Sequence, residues 1–180
     1  MKHRINPWLA TLLTCMSIVH AHAETARTNH GHDPFFQISK AISDCPVPLG
    51  PLQTEKEWLD DSHYRIERGN SCWIEGRCRL SNGYLYDTEI AETVQRRLAN
   101  LNVDTHWREQ STLWLTLQRR FIYVEGCVAP GFDKAAFLDG LARTADVERV
   151  IDNTTNDPHA AQLPYRTLAN PDKPVLNPGN

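Results

Sequence analysis

Beyond residue 19, no apolar run in the 180-residue chain approaches the length needed to cross a bilayer. Such a span needs about 30 Å of hydrocarbon at about 1.5 Å per helical residue. An excess of positive charge is also lacking. Lys and Arg number 19 against 22 Asp and Glu, which argues against non-specific nucleic-acid binding, because that binding draws its affinity from neutralised phosphates. No nucleophile elbow, phosphate-cradling glycine loop or His-Glu-x-x-His is present. No cysteine stands beside a histidine or in a Cys-x-x-Cys pair at a helix start, so nothing marks an activated thiol. Internal repeats and heptads are missing as well. These absences leave no catalytic residue, metal ligand, cofactor or small-molecule substrate to assign. His63, near Asp60 and Asp61, and His106, beside Trp107, read as surface histidines.

What is there begins with a secretory signal. Lys2, His3 and Arg4 precede an apolar stretch from Trp8 to Val19, and Ala21-His22-Ala23 places small residues where a signal peptidase reads. The expected mature chain starts at Glu24, is soluble and is periplasmic. A competing lipoprotein reading takes Leu12-Leu13-Thr14-Cys15 as its box, but Thr is a poor residue before the cut. Loss of Lys2 and Arg4 leaves 17 basic against 22 acidic residues, a net charge of −5 with histidines neutral. The remaining length suits one domain with a modest core and residues to spare at its ends.

Four cysteines remain after cleavage: Cys45, Cys72, Cys78 and Cys127. An even number in an exported chain reads as two disulfides. Zinc is the competing reading, yet Cys72 and Cys78 lack the short Cys-x2-Cys hook typical of structural zinc sites.

Residues 24–44 read as a flexible segment. Its His30-Gly31-His32 fits a solvated tail better than a metal site, because no carboxylate or thiolate is evidently held nearby. Residues 45–86 form a cysteine-bearing extension. Pro46, Pro48 and Pro51 make its start extended. Thr54-Glu55-Lys56-Glu57 then has capping-box form and predicts a helix over residues 55–68, stopped by Gly69, with Trp58 and Leu59 against the body. Cys72 to Cys78 suggests a short strand or tight loop, and Ser81-Asn82-Gly83 a turn.

The second half is better patterned. Asp87 is a suitable N-cap for a helix in which Ile90, Ala91, Val94, Leu98 and Leu101 recur at three- and four-residue steps. Ser111 to Gln118 and Phe121 to Val128 alternate as two strands of a hairpin. A second amphipathic helix over residues 133–143 carries Phe137, Leu138, Leu141 and Ala142, and a third strand starts at Val147. Residues 156–180, with Pro164, Pro171, Pro174 and Pro178, read as a disordered tail.

Three stretches over residues 87–155 together resemble a BON domain, a small αββαβ module of bacterial cell-envelope proteins. They are the acidic start Asp87-Thr88-Glu89-Ile90 with Val94 and Leu98; Ile122-Tyr123-Val124-Glu125-Gly126-Cys127-Val128, with its apolar-x-apolar-x-Gly-x-Val pattern; and Val147-Glu148-Arg149-Val150-Ile151-Asp152-Asn153. The resemblance implies an α+β fold with a three-stranded mixed sheet, two helices on one face, and a non-enzymatic attachment to phospholipid or another envelope surface. Two departures stand out. Arg119-Arg120 replaces the family's usual Asn-Gly or Asp-Gly turn, which implies a wider or strained turn, and Asp146 stands where Gly usually precedes Val.

Strand alternation carries three further expectations. Gly126, on the helix-covered face, implies close approach of a helix to the sheet. Tyr123, Glu125 and Cys127 face the other way with Trp114 and Thr116, so the extension should lie over that reverse face, fastened by a disulfide to Cys127. Of the three possible pairings, this layout favours Cys45–Cys127 with Cys72–Cys78. For function, Arg119, Arg120 and Phe121 at the hairpin tip are the candidate contact to anionic lipid. The alternative is a protein-interaction or scaffold role in an envelope machine such as a secretion apparatus.

Overall fold

The computed structural model describes residues 26–175, apart from the side chains of residues 63–71 and 104. The signal segment, Cys15, Pro178 and the His63 side chain lie outside the described residues.

The chain is α+β. In order it forms β1 (Phe35–Gln37), α1 (Glu55–Ile74), α2 (Gly83–Thr105), β2 (Ser111–Gln118), β3 (Phe121–Val128), α3 (Lys134–Ala142) and β4 (Arg149–Thr155). The sheet has four strands in the order β1-β2-β3-β4, antiparallel except for the parallel β3–β4 pair. Three strands were expected from the sequence. The fourth comes from the leader, where β1 is only three residues long and shows no alternation to read. Its flanks continue the pairing: Leu117 donates its N–H to Pro34 at 2.9 Å, and Ile38 and Ala41 donate theirs to Leu113 and Ser111, each at 2.9 Å. The leader is therefore not a flexible segment from Pro34 onward, since the unpaired edge of β2 is a template that takes it up.

One face of the sheet carries the core. Ile90, Val94 and Leu98 of α2 and Phe137 and Leu141 of α3 pack on Leu113, Leu115, Leu117, Ile122 and Val124, all nearly inaccessible. Their three- and four-residue spacing on the helices and two-residue spacing on the strands put both sets on facing surfaces. Two glycines show how tightly the layers fit. A Cβ on Gly140 of α3 would stand 2.3 Å from Leu101 Cδ2 of α2, whereas a Cβ on Gly126 would stand 2.2 Å from the Thr112 carbonyl oxygen of β2. Gly126 thus accommodates the neighbouring strand, not a helix, and its φ of +131° is open only to glycine at low cost.

The reverse face is roofed by two segments. Disulfides join Cys45 to Cys127 and Cys72 to Cys78. The segment after Cys45 then pairs with residues 165–168, through Leu49 N–H to Arg166 O at 2.8 Å and Leu168 N–H to Val47 O at 2.9 Å. Tyr165, 3% exposed, donates its hydroxyl to Pro46 O at 3.0 Å beside the Cys45–Cys127 bridge. The stretch up to residue 175 is accordingly not a disordered tail. Its prolines cannot build a ladder, but Tyr165 supplies a buried aromatic anchor and the Cys45 leader supplies a partner strand.

Helix α1 does not lie on that face; among the elements it packs on α2. It runs through Gly69 and ends at Ile74, with Gly76 at φ +70° in the turn that follows, so residues 72–74 are its last turn and not a strand. The capping box is present: Glu57 N–H donates to Thr54 Oγ1 at 3.2 Å and Thr54 N–H to Glu57 Oε2 at 2.8 Å. Glu57 also binds Arg27 of the leader and, at 2.7 Å, Arg166 of the C-terminal segment. Burial opposes its charge, yet Thr54, Arg166 and Arg27 bring its pKa down to about 2. Leu59 turns outward, 60% exposed, against the expectation that it packs inward. Among the described residues no helix is long and apolar enough to cross a membrane.

Candidate interaction site at the hairpin pole

The hairpin turn organises one pole of the molecule. Gln118 pairs with Phe121, leaving two residues between the strands, Arg119 at φ +58° and Arg120 at φ +66°. Two left-handed centres make a tight turn of the kind that suits strand twist, so the turn is strained but not wider. Each non-glycine residue held there costs about 1–2 kcal/mol. Asp87 offsets this. Its carboxylate, in a residue 2% exposed, accepts the Arg119 N–H on Oδ2 and the Arg120 N–H on Oδ1, both at 2.7 Å. Asp87 is therefore not the N-cap of α2. Asn82 is, accepting from Leu85 N–H at 3.1 Å, which starts the helix five residues earlier and turns Asp87 toward the hairpin.

Removing that carboxylate with Asp87→Ala should lower the unfolding free energy by about 2–3 kcal/mol, the loss of two charge-assisted bonds to partly buried amides. Urea denaturation measures it. Replacing Arg119-Arg120 by Asn-Gly in the same background should recover most of the loss, and no recovery would place the Asp87 contribution elsewhere.

Both arginine side chains are held internally. The Arg119 guanidinium, 20% exposed, binds Asp61 at 2.9 Å and Gln118 Oε1 at 3.2 Å. Arg120 donates Nε–H to Asp146 O at 2.9 Å, lies 4.9 Å over the Tyr86 ring, and brings Nη1 to 3.9 Å from Cys78 Sγ. Asp146, at φ +66°, takes the left-handed conformation where the resembled family has glycine. Phe121 is partly buried, with Arg149 5.9 Å over its ring and Tyr123 edge-on at 6.4 Å. The three candidate residues do gather at one end, but neither arginine there is an uncommitted cation.

Beside them stands a disulfide-closed knuckle. Gly76 N–H donates to Trp73 O at 2.9 Å, and Arg77 and Cys78 N–H both return to Cys72 O, at 2.8 and 3.0 Å. Residues 73–77 are all exposed, including Trp73 at 47% and Ile74 at 75%. Around them Arg77 pairs with Glu75, and Arg79 pairs with Glu89 and, at 3.1 Å, with Asp146. Glu89 first and then Asp146 hold the Arg79 guanidinium above its ordinary pKa, while Arg79 holds the Glu89 carboxyl below its own. Apolar residues at the centre of charge-balanced surroundings have the composition of a protein-contact surface. Sequence reasoning missed this site because Trp73-Ile74 was read as a strand or loop. The available signal was two large apolar residues inside a Cys-x5-Cys ring too small to bury them.

No family model, curated protein or solved structure matches the chain.

Two other places carry histidine or buried acid. A cleft of about 420 Å³ between the leader, α1 and α2 is lined by His30, His32, Asp33, Trp58, Tyr84 and Thr88. His30 stacks on Trp58 at 5.6 Å and bonds Thr28 Oγ1 at 2.9 Å, so it belongs to the folded body and not to a solvated tail; His32 is exposed. Among the described residues, no three His, Cys, Asp or Glu gather to hold a metal. His106, an exposed residue as expected, ends α2 at φ +48°.

On the reverse face, burial raises the Glu125 carboxyl pKa to about 7, with Thr116 at 3.4 Å and the Arg166 charge only partly opposing it. Burial, then the Glu125 charge, also raises the Tyr165 hydroxyl. Below about pH 4.5 the Glu125 carboxyl is protonated folded and unfolded alike. Between there and about 7 the folded state holds the proton more tightly, so stability falls as pH rises and levels off above 7. Glu125→Gln should stabilise the protein by about 2–3 kcal/mol at pH 8 and by little at pH 4. Equal effects at the two pH values, read from urea midpoints, would remove this account.

Proposed function

We propose that the chain is a non-enzymatic exported protein that holds a protein partner at the hairpin pole, in an interaction or scaffold role in the cell envelope. The observation that carries this reading is the exposed Trp73–Ile74 pair, braced by the Cys72–Cys78 bridge at an end where Arg77, Arg79 and Arg119 are paired with acids and Arg120 is engaged by the Asp146 carbonyl and the Tyr86 ring. Exposed tryptophan is a frequent hot spot of protein interfaces. The BON-like reading draws support from the helix-strand-strand-helix-strand order from α2 to β4, and the periplasmic reading from two disulfides. Attachment to anionic phospholipid through Arg119 and Arg120 draws none from their side chains, because Asp61, the Asp146 carbonyl and the Tyr86 ring engage them. Salt-sensitive lipid binding needs cations in excess.

The test uses the oxidised full chain with a photo-crosslinker at position 73 and, as control, at exposed Arg143. Crosslinking in envelopes of the source cell should give a discrete adduct from position 73 only. Ile74→Asp should weaken capture about tenfold or more while leaving the urea midpoint nearly unchanged, since the side chain is exposed. Salt-sensitive co-flotation with phosphatidylglycerol vesicles, without any position-73 protein adduct, would overturn the reading in favour of lipid.

A further inference from the structure

The two disulfides differ in what surrounds them. The Cys45–Cys127 bridge is shut in: Cys127 is 0% exposed, and the Tyr165 hydroxyl stands 3.8 and 4.0 Å from the two sulfurs. Cys45 is partly buried, and the C-terminal segment stands over the bridge through Tyr165. The Cys72–Cys78 bridge, whose cysteines are partly buried, closes a ring whose five intervening residues are all exposed. Its sulfurs also differ from each other. Cys78 packs against the hydrophobic core, and its Sγ has the Arg120 guanidinium at 3.9 Å, whereas Cys72 sits on the last turn of α1 at the mouth of the exposed ring. A cation beside a sulfur stabilises its thiolate, which makes that sulfur the better leaving group in exchange.

We propose that the Cys72–Cys78 bridge is a site of thiol–disulfide exchange for a dithiol oxidoreductase, attacked at Cys72 and leaving at Cys78, while Cys45–Cys127 stays closed. In the first step a thiolate of the dithiol attacks Cys72 Sγ. The Cys72–Cys78 bond breaks, a mixed disulfide forms on Cys72, and the electron pair leaves on Cys78 beside Arg120. In the second step the other thiol of the reductant, deprotonated, attacks its own partner sulfur in the mixed disulfide and releases Cys72 as a thiolate. Two electrons and two protons pass from the dithiol to the chain, and the oxidoreductase ends as a disulfide. The reverse sequence closes the ring again. If Trp73 and Ile74 hold a partner, opening the ring unbraces that contact. This consequence rests on the proposed function, whereas the exchange chemistry does not.

The oxidised full chain is incubated with glutathione under native conditions, quenched with acid, alkylated and mapped by peptide mass spectrometry. Cys72 and Cys78 should become alkylated at least about tenfold faster than Cys45 and Cys127, with glutathione trapped on Cys72. Arg120→Ala should slow the opening several-fold, and Arg120→Lys should retain most of the rate. Loss of both bridges together, prior opening of Cys45–Cys127, or glutathione trapped on Cys78 would overturn the assignment. Position-73 crosslinking of the selectively reduced chain separates the two ideas: selective opening with an unchanged adduct upholds the exchange site and overturns its link to the contact.

Discussion

Gly126→Ala is expected to lower the unfolding free energy by about 4 kcal/mol, a loss of the size seen when overpacking and backbone strain coincide. Alanine usually helps a strand, because glycine leaves more backbone freedom to lose on folding. Here two things reverse the sign. The backbone at Gly126 has φ +131°, a conformation L side chains rarely adopt, and the added Cβ would stand 2.2 Å from Thr112 O and 3.1 Å from Leu113 Cα. Both obstacles are main-chain atoms of β2, which has no room to retreat because Ser111 to Leu117 are buried on both faces of the sheet. The Leu113–Gly126 pairing must therefore splay. Gly131→Ala and Gly140→Ala are the controls. Gly131, at φ +86°, has nothing within 4 Å of a new Cβ, and Gly140 meets only the end of the flexible Leu101 side chain, so each should cost about 1–2 kcal/mol. Urea midpoints that rank the three equally would show that strand-to-strand contact is not why residue 126 is glycine.

The same residue shows how far the sequence could be read. Alternation in Ser111–Gln118 and Phe121–Val128 gave both strands with their ends, and it put Cys127 opposite the helix-facing residues, which is what led to the Cys45–Cys127 pairing. The pattern also marked Gly126 as special, but it cannot say whether the obstacle comes from above the sheet or from the adjacent strand. The start of α2 was misplaced for a different reason. Ser81-Asn82-Gly83 reads as a turn and Asp87 as the cap, and only the hairpin amides, 32 and 33 residues away, show why Asp87 turns inward. Where an element is held by its partner and has little pattern of its own, there was almost nothing to see. β1 has three residues, and the segment around Tyr165 is proline-rich and irregular; each is ordered by the surface it covers. Trp73 and Ile74 escaped notice because the stretch from Cys72 to Cys78 reads as a short strand or tight loop, whereas both residues belong to the exposed last turn of α1.

Opening the Cys45–Cys127 bridge should cost about 4.5 kcal/mol, because the cysteines are 82 residues apart and the unfolded chain regains the freedom of that long loop. Cys72 and Cys78 are 6 residues apart, so the same argument gives only about 2 kcal/mol for their bridge. Alanine is the replacement of choice at position 127, since a serine hydroxyl in that fully buried place would need a new partner. The long bridge also does something the short one does not. It tacks the leader, and through Leu49–Arg166 and Val47–Leu168 the C-terminal segment, across Trp114, Thr116, Tyr123 and Glu125. Cys45→Ala/Cys127→Ala should therefore lower Tm by about 10–20 °C, raise the urea m-value as the denatured chain expands, and relieve the burial that lifts Glu125. Its stability would then depend less on pH between about 4.5 and 7 than that of the intact protein. Cys72→Ala/Cys78→Ala should leave that pH dependence in place. A long-bridge variant that loses no more stability than the short-bridge variant, or that keeps the full pH dependence, would mean that the roof stays down without its tether and that packing around Tyr165 is sufficient to hold it.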